Sequence, residues 1–107
     1  MSHVTTHVLD AAQGEPAPGI AVTLGGADGE IASGVTDADG RIRELGPDEL
    51  PPGDYRLEFA TGAYFASAGI TAFYPAVTID FTIADAASHY HVPVLLSPFA
   101  YSTYRGS

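Results

Sequence analysis

The chain contains no cysteine, no tryptophan and no lysine, so arginine supplies all four of its strongly basic side chains. Without cysteine it has no disulfide framework and no thiolate nucleophile, and a domain of 107 residues can bury a core without such cross-links. Four arginines against thirteen acidic residues give a net charge of −9, which disfavours a phosphate backbone or an anionic membrane surface. We therefore expect one domain over residues 1–107, with no nucleic-acid or membrane partner.

Long apolar runs are missing as well. No stretch approaches the ~20 apolar residues of a membrane-spanning helix, and the first residues show neither the basic segment nor the apolar segment of a signal peptide. These absences predict a cytoplasmic protein. Any anionic ligand must bind through one of four guanidinium groups, which belong to Arg41, Arg43, Arg56 and Arg105.

Apolar and polar residues alternate along much of the chain, a pattern typical of strands with one buried face. The predicted strands include residues 4–9, 20–24, 31–36, 55–59 and 77–83. One short helix is predicted over residues 61–69, with Thr61 as its N-cap and Gly69 at its end. Seven or eight strands at near-regular spacing and a single helix predict an all-β protein with a β-sandwich fold.

The closing residues, 89–107, carry more apolar and functional side chains than a fraying terminus would. Alternation over residues 89–97 places Tyr90, Val92, Val94 and Leu96 on one face and His89, His91, Pro93, Leu95 and Ser97 on the other. The two histidines then lie on one side, within roughly 7 Å of each other. Because Pro98 breaks the run and alternation resumes over residues 101–105, we predict two strands joined by a turn.

His7, His89 and His91 occupy polar strand positions, and three interpretations of them stay open. They can be solvated surface residues, or zinc ligands that need a further carboxylate or water. They can also perform general acid–base catalysis near neutral pH, where an unperturbed imidazole titrates. Beside a guanidinium such as that of Arg41, a neutral imidazole can activate water against a polarised carbonyl.

Several motifs of the chain resemble those of the transthyretin-related 5-hydroxyisourate hydrolases. The matching stretches follow the family order and cover nearly the whole chain: residues 6–10, 14–17, 36–41, 62–65, 73–75, 89–93 and 104–107. His-Tyr-His-Val-Pro at 89–93 and Tyr-Arg-Gly-Ser at 104–107 are the most specific. The resemblance implies a transthyretin-like, eight-stranded antiparallel β-sandwich with one short helix. It also implies a homotetramer, a dimer of dimers with active sites between the dimers.

The same resemblance implies a hydrolase of urate (purine) catabolism that uses no cofactor and no metal. Its substrate would be 5-hydroxyisourate, and hydrolytic opening of the six-membered ring would give 2-oxo-4-hydroxy-4-carboxy-5-ureidoimidazoline. The implied site residues are His7, Arg41, His91 and Ser107 for catalysis and His7, Arg41, Tyr104, His89 and Arg105 for substrate binding.

These residue types suit the implied reaction. Either His7 or His91 can take a proton from the attacking water. Arg41 can stabilise the oxyanion formed by the attack, through charge-assisted hydrogen bonds. Tyr104 can hydrogen-bond to the heterocycle, and Ser107 can offer its hydroxyl and a chain-terminal carboxylate.

Two further alternatives remain open at this point. Arg105 can bind the substrate, or it can hold the tail in place by pairing with an acidic residue. The alternative function is that of a transthyretin-type carrier, which would bind small aromatic ligands without turnover.

Overall fold

The structure, a computed structural model, describes residues 2–107. This part of the chain forms two packed β-sheets and one short helix. In chain order the elements are β1 (Val4–Asp10), β2 (Glu15–Pro16), β3 (Ala21–Gly26), β4 (Gly29–Val35), β5 (Arg41–Ile42), β6 (Gly53–Phe59), α1 (Thr61–Ser67), β7 (Val77–Ile83), β8 (Tyr90–Ser97) and β9 (Ala100–Thr103).

The sheets form the predicted β-sandwich, with its one short helix. The first sheet has the strand order β2-β1-β8-β9, and β5 pairs with the edge of β1 that β2 also uses. The second sheet has the order β4-β3-β6-β7. Within residues 2–107 the structure has nine strands against the expected eight, and two of the nine, β2 and β5, have only two residues each.

One strand pair departs from the predicted antiparallel arrangement. β1 runs parallel to β8, from Val4 opposite Tyr90 to Asp10 opposite Leu96. Parallel neighbours require a long crossover connection, and the whole segment from β2 to β7 supplies it here. The sandwich implied by the resemblance is confirmed, and its antiparallel pairing differs only here, because no turn joins β1 to β8 and the long crossover lets them run in the same direction.

The core lies between the two sheets and is made of the apolar faces of both. The predicted buried face of the tail is confirmed, since the inward side chains of β8 are all less than a tenth exposed. Fully burying one such side chain contributes roughly 1.5–3 kcal/mol. Side chains at most 2 % exposed include Val4, Val8, Val22, Leu24, Leu57, Phe59, Phe65, Val94 and Leu96.

The helix α1 (Thr61–Ser67) ends as predicted but begins differently. Gly69 takes a φ of 72° and its N–H donates to the carbonyl of Ala66 at 3.0 Å, which closes the last turn. At the other end the N-cap is Ala60, and Thr61 is the first helical residue. The predicted Thr61 cap is wrong because its side chain is buried, where its hydroxyl finds no hydrogen-bond partner.

The described part of the chain contains no helix long and apolar enough to cross a membrane.

We expect Gly40→Ala to destabilise the fold more than an ordinary glycine substitution. Gly40 has a φ of 75°, and an added Cβ would overlap the carbonyl oxygen of Val8 in β1. We expect the free energy of unfolding to fall by about 3 kcal/mol, from backbone strain and from the forced shift of β1. Urea denaturation of the variant measures this loss.

The matched control is Gly14→Ala. Gly14 has a nearly identical φ of 72°, but nothing lies within 4 Å of the added Cβ. We expect the free energy of unfolding of this variant to fall by only about 1–2 kcal/mol, the cost of the left-handed backbone conformation alone. Equal losses for the two variants would show that the contact with β1 is not what makes Gly40 necessary.

Candidate functional site

Three strands of the first sheet bring distant residues together on its outer face. On β1, Thr5 and His7 point away from the core while their neighbours point into it. The parallel partner of Thr5 is His91 on β8, and the antiparallel partner of His7 is Arg41 on β5. Strand register therefore places a histidine and an arginine beside adjacent outward positions of β1.

A tight turn before β5 holds Arg41 in place. The Asp37 carboxylate accepts the backbone N–H groups of Asp39 at 2.9 Å and Arg41 at 3.0 Å, and it pairs with the Arg43 guanidinium at 3.0 Å. The pKa of Asp37 is held below its usual value, mainly by the hydrogen bond from the Arg41 N–H. The Asp39 N–H and the charges of Arg43 and Arg41 act in the same direction, and desolvation opposes them. Asp37 thus stays ionised and fixes the turn that presents Arg41.

The tautomer of His7 follows from its hydrogen bond. Its Nε2 lies 2.9 Å from the backbone carbonyl of Asp39. A carbonyl only accepts, so in the neutral ring Nε2 carries the proton and Nδ1 keeps the lone pair. His7 is therefore tied to the turn that presents Arg41.

His89 and His91 share a single hydroxyl. Thr5 Oγ1 lies 2.8 Å from His89 Nε2 and 2.8 Å from His91 Nδ1. The predicted placement of the two imidazoles on one side is confirmed. The hydroxyl that joins them belongs to a third residue.

The pKa of His91 is lowered. Burial is the largest cause, because it disfavours the charged ring, and the nearby charges of Arg41, His7 and His89 add to it; a hydrogen bond to the Thr5 backbone acts in the opposite direction. Since the unperturbed value is 6.5, His91 is mostly neutral at pH 7. A neutral imidazole has the lone pair that a general base needs.

His3 is a structural histidine. Its Nε2 donates to the Ser88 carbonyl at 2.6 Å, and its Nδ1 accepts the Leu50 N–H at 2.8 Å. The ring is only 4 % exposed. With both nitrogens used and the ring buried, His3 has no free group for chemistry.

The tail lies against His91. The Gly106 N–H donates to the His91 carbonyl at 2.8 Å and forms an isolated β-bridge. A Cβ on Gly106 would come within 2.6 Å of His91 Cδ2, so this approach requires glycine. One residue before it, the Arg105 guanidinium lies 4.3 Å from the centre of the Tyr90 ring. This cation–π contact favours the tail-holding role of Arg105, with an aromatic ring as the partner.

A depression of about 230 Å³ lies between β5, β8 and the tail. It brings together four of the predicted site residues: Arg41, His89, His91 and Ser107. The remaining lining residues are Thr5, Thr6, Ile42 and Arg43. Sequence reasoning missed Thr5, although its alternation with His7 on β1 was a signal that could have identified it.

Three other predicted site residues lie beside this depression. His7 is next to Arg41 in the sheet but is not part of the lining. Tyr104 and Arg105 line a neighbouring apolar groove of about 160 Å³, together with Phe81 and Tyr90. Tyr104 is 58 % exposed, so its side chain is open to solvent or to a further molecule.

A larger depression of about 770 Å³ lies on the second sheet. Its charged side chains are already paired: Arg56 with Asp80 at 2.7 Å, and Asp54 with the Thr82 hydroxyl at 2.7 Å. The hydrogen bond from Arg56 and its charge lower the pKa of Asp80. We place the functional site in the smaller depression because its imidazoles and guanidinium groups face a common space.

The structure does not assemble the histidines into a metal site. Across residues 2–107 no group of three or more His, Cys, Asp or Glu side chains is arranged to hold a metal ion. His7 bonds to the turn, whereas His89 and His91 bond to Thr5. Each of these rings thus has one nitrogen already bonded within the protein.

Comparison with known proteins agrees with this arrangement. The model of the HIUase/Transthyretin family matches residues 4–106. A 5-hydroxyisourate hydrolase of Caulobacter vibrioides is 47 % identical over all of both chains. The solved 5-hydroxyisourate hydrolase of Klebsiella pneumoniae superposes with a TM-score of 0.91 at 43 % identity, covering 97 % of this chain and 98 % of that one. Transthyretin from Sparus aurata superposes with a TM-score of 0.90 at 37 % identity, covering 99 % and 97 %.

The hydrolase of Klebsiella pneumoniae and the transthyretin of Sparus aurata both share the two-sheet architecture described above. The match of the family model runs from the first residue of β1 to the residue that bridges His91. It therefore includes every strand that builds the depression. This chain belongs to the HIUase/Transthyretin family.

Proposed function

We propose that this protein is a hydrolase that opens the ring of 5-hydroxyisourate. The observation that carries the proposal is the neutral imidazole of His91 beside the Arg41 guanidinium in one depression. Curated relatives 42–47 % identical over nearly the whole chain, from Caulobacter vibrioides to Mus musculus, are named 5-hydroxyisourate hydrolase. Hydrolysis of a cyclic amide needs a base for water and a cation for the oxyanion, and these two residues supply both.

In the proposed reaction His91 accepts a proton from the attacking water. The lowered pKa keeps its ring unprotonated near pH 7. We assign the base to His91 because it lines the depression, whereas His7 is bonded to the Asp39 carbonyl and lies outside the lining. Arg41 donates hydrogen bonds to the carbonyl oxygen as it becomes an oxyanion. His7 braces the Arg41 turn through its bond to Asp39. In the proposal it also meets the substrate from its position beside the depression.

The remaining predicted residues have secondary roles in the proposal. His89 and Ser107 border the substrate from the wall opposite β5. Tyr104, on the exposed rim, hydrogen-bonds to the heterocycle. Arg105 anchors the tail on Tyr90. We further propose that the chain assembles as a homotetramer, a dimer of dimers, that encloses the depression; no cofactor is invoked.

The carrier alternative is less well supported by the lining of the depression. The solved transthyretin of sea bream was crystallised with thyroxine. Here two imidazoles and two guanidinium groups line the depression, and they suit a polar heterocycle better than an apolar aromatic ligand. Saturable binding of aromatic ligands with no turnover would favour the carrier.

A direct assay tests the proposal. Freshly generated 5-hydroxyisourate decays spontaneously, and its ultraviolet absorbance follows the decay. We expect catalytic amounts of the protein to accelerate the loss of absorbance in proportion to protein concentration. An unchanged rate would refute the proposed function.

Replacing Arg41 tests the oxyanion role. We expect Arg41→Gln to lower kcat by roughly 10²–10³-fold, as the loss of one oxyanion donor does elsewhere. Arg56→Gln is the matched control, because Arg56 pairs with Asp80 on the other sheet and is exposed. Steady-state kinetics should show wild-type turnover for that control. Loss of kcat in both variants would indicate a general charge effect.

The pH dependence of the reaction tests the base. Only the neutral ring of His91 accepts a proton, so kcat/KM should rise with pH as His91 deprotonates. Because the pKa of His91 is lowered from 6.5, the midpoint should fall below that value and the rate should level off near neutrality. A profile measured between about pH 5 and pH 8 covers this range. A midpoint clearly above 6.5 would exclude His91 as the base.

Gly106→Ala tests the position of the tail. The added methyl group would collide with the His91 ring, so the tail must move away and take Ser107 with it. A displacement of about 1 Å in a site can cost about 100-fold in rate, and we expect a fall in kcat of that order.

The control for this substitution is Gly25→Ala. There the added Cβ would meet the Gly29 carbonyl at 3.6 Å, an ordinary contact far from the site. It should keep wild-type turnover. Unchanged kcat in Gly106→Ala, with the fold verified by circular dichroism, would show that the tail position does not matter for the reaction.

A further inference from the structure

The Thr5 hydroxyl is the only side-chain group that the described hydrogen bonds place between His89 and His91. It lies 2.8 Å from His89 Nε2 and 2.8 Å from His91 Nδ1. Thr5 is 5 % exposed, so bulk water does not compete for these bonds. The parallel register fixes the arrangement, because Thr5 is the strand partner of His91.

The two hydrogen bonds of the Thr5 hydroxyl have a defined donor and acceptor direction. A hydroxyl has one proton to donate, and a neutral imidazole has one donor nitrogen and one acceptor nitrogen. If His91 offers the lone pair of Nε2 to water, its proton must be on Nδ1. Thr5 Oγ1 then accepts from His91 Nδ1 and is free to donate to His89 Nε2.

We propose that Thr5 is a positioning residue that fixes the tautomer of His91 and connects it to His89 as a proton relay. This inference rests on the proposed hydrolase function, in which His91 is the base. Thr5 acts through His91 and does not itself need to touch the substrate.

The relay balances as a sequence of proton transfers. Water gives a proton to His91 Nε2, and its oxygen bonds to the substrate carbonyl carbon. The proton on His91 Nδ1 moves to Thr5 Oγ1, while the Thr5 hydroxyl proton moves to His89 Nε2. His91 ends neutral, Thr5 ends as a hydroxyl and His89 becomes the imidazolium, so no proton is lost or gained.

The charges around His91 make such a relay useful. Arg41 and Arg43 line the same depression from β5 and the residue after it, His7 faces from β1, and Ser107 lies on the tail side. The charges of Arg41 and His7 disfavour a second proton on His91. The relay leaves the His91 ring neutral beside Arg41 during water attack.

The test replaces Thr5 with residues that separate its shape from its hydroxyl. Thr5→Val keeps the branched shape and the strand preference but removes the hydroxyl, whereas Thr5→Ser keeps the hydroxyl. For Thr5→Val we expect kcat to fall about tenfold to a hundredfold with little change in KM. We expect Thr5→Ser to restore most of the rate.

A substitution of the same kind on the other sheet is the control. Thr78→Val changes an exposed threonine of β7, which is the strand partner of Glu58. It should leave kcat, KM and the pH profile unchanged. Wild-type kcat and an unaltered pH profile in Thr5→Val would overturn the relay even if the protein proves to be a hydrolase.

Nitrogen NMR of the imidazole rings gives a readout that does not depend on activity. In the wild-type protein above the His91 midpoint, we expect His91 protonated on Nδ1, and we expect the titrations of His89 and His91 to influence each other. Thr5→Val should yield a mixture of His91 tautomers and uncoupled titrations. A wild-type His91 protonated on Nε2 would refute the relay, whereas failure of the absorbance assay alone would refute only the hydrolase proposal.

Discussion

The parallel pairing of β1 with β8 is the interaction on which the site depends. It joins the first and last long strands of the chain along seven residue pairs, from Val4–Tyr90 to Asp10–Leu96. Because side chains alternate in both strands, the same register that buries one face of each also aligns their outer faces. Thr5 is thereby held beside His91, and a slip of one residue would put the two side chains on opposite faces of the sheet.

The other half of the site is attached to the opposite edge of β1. The turn around Asp37 delivers Arg41 beside His7, and Gly40 lets this turn approach β1 closely enough for its carbonyl to accept the Val8 N–H at 2.7 Å. β1 is thus a central strand with the His91 imidazole on one side and the Arg41 guanidinium on the other. Burial in this arrangement, together with neighbouring cations, lowers the pKa of His91. The fold therefore sets both the position and the pKa of His91.

Much of the fold could be predicted from local patterns. Apolar–polar alternation predicted the inward face of β8. Proline and glycine positions predicted the turn after β8 and the end of the helix at Gly69. The Thr61 cap was not, because whether a threonine caps a helix or is buried depends on what packs over it. The parallel strand pair was also missed, since no local signal connects residues 86 positions apart.

The candidate site, like the fold, was predictable from the sequence only in part. The sequence by itself determined which residue types were available, above all a few arginines and a pair of histidines on one side of a strand, because composition and period-2 alternation are properties of the chain. Only the tertiary structure decided which of them meet. It joined His89 and His91 through Thr5, set His7 on the Arg41 turn and turned Arg105 onto Tyr90. The physical reason is that strand register and burial, which fix distances, tautomers and pKa values, arise only when separate segments pack together.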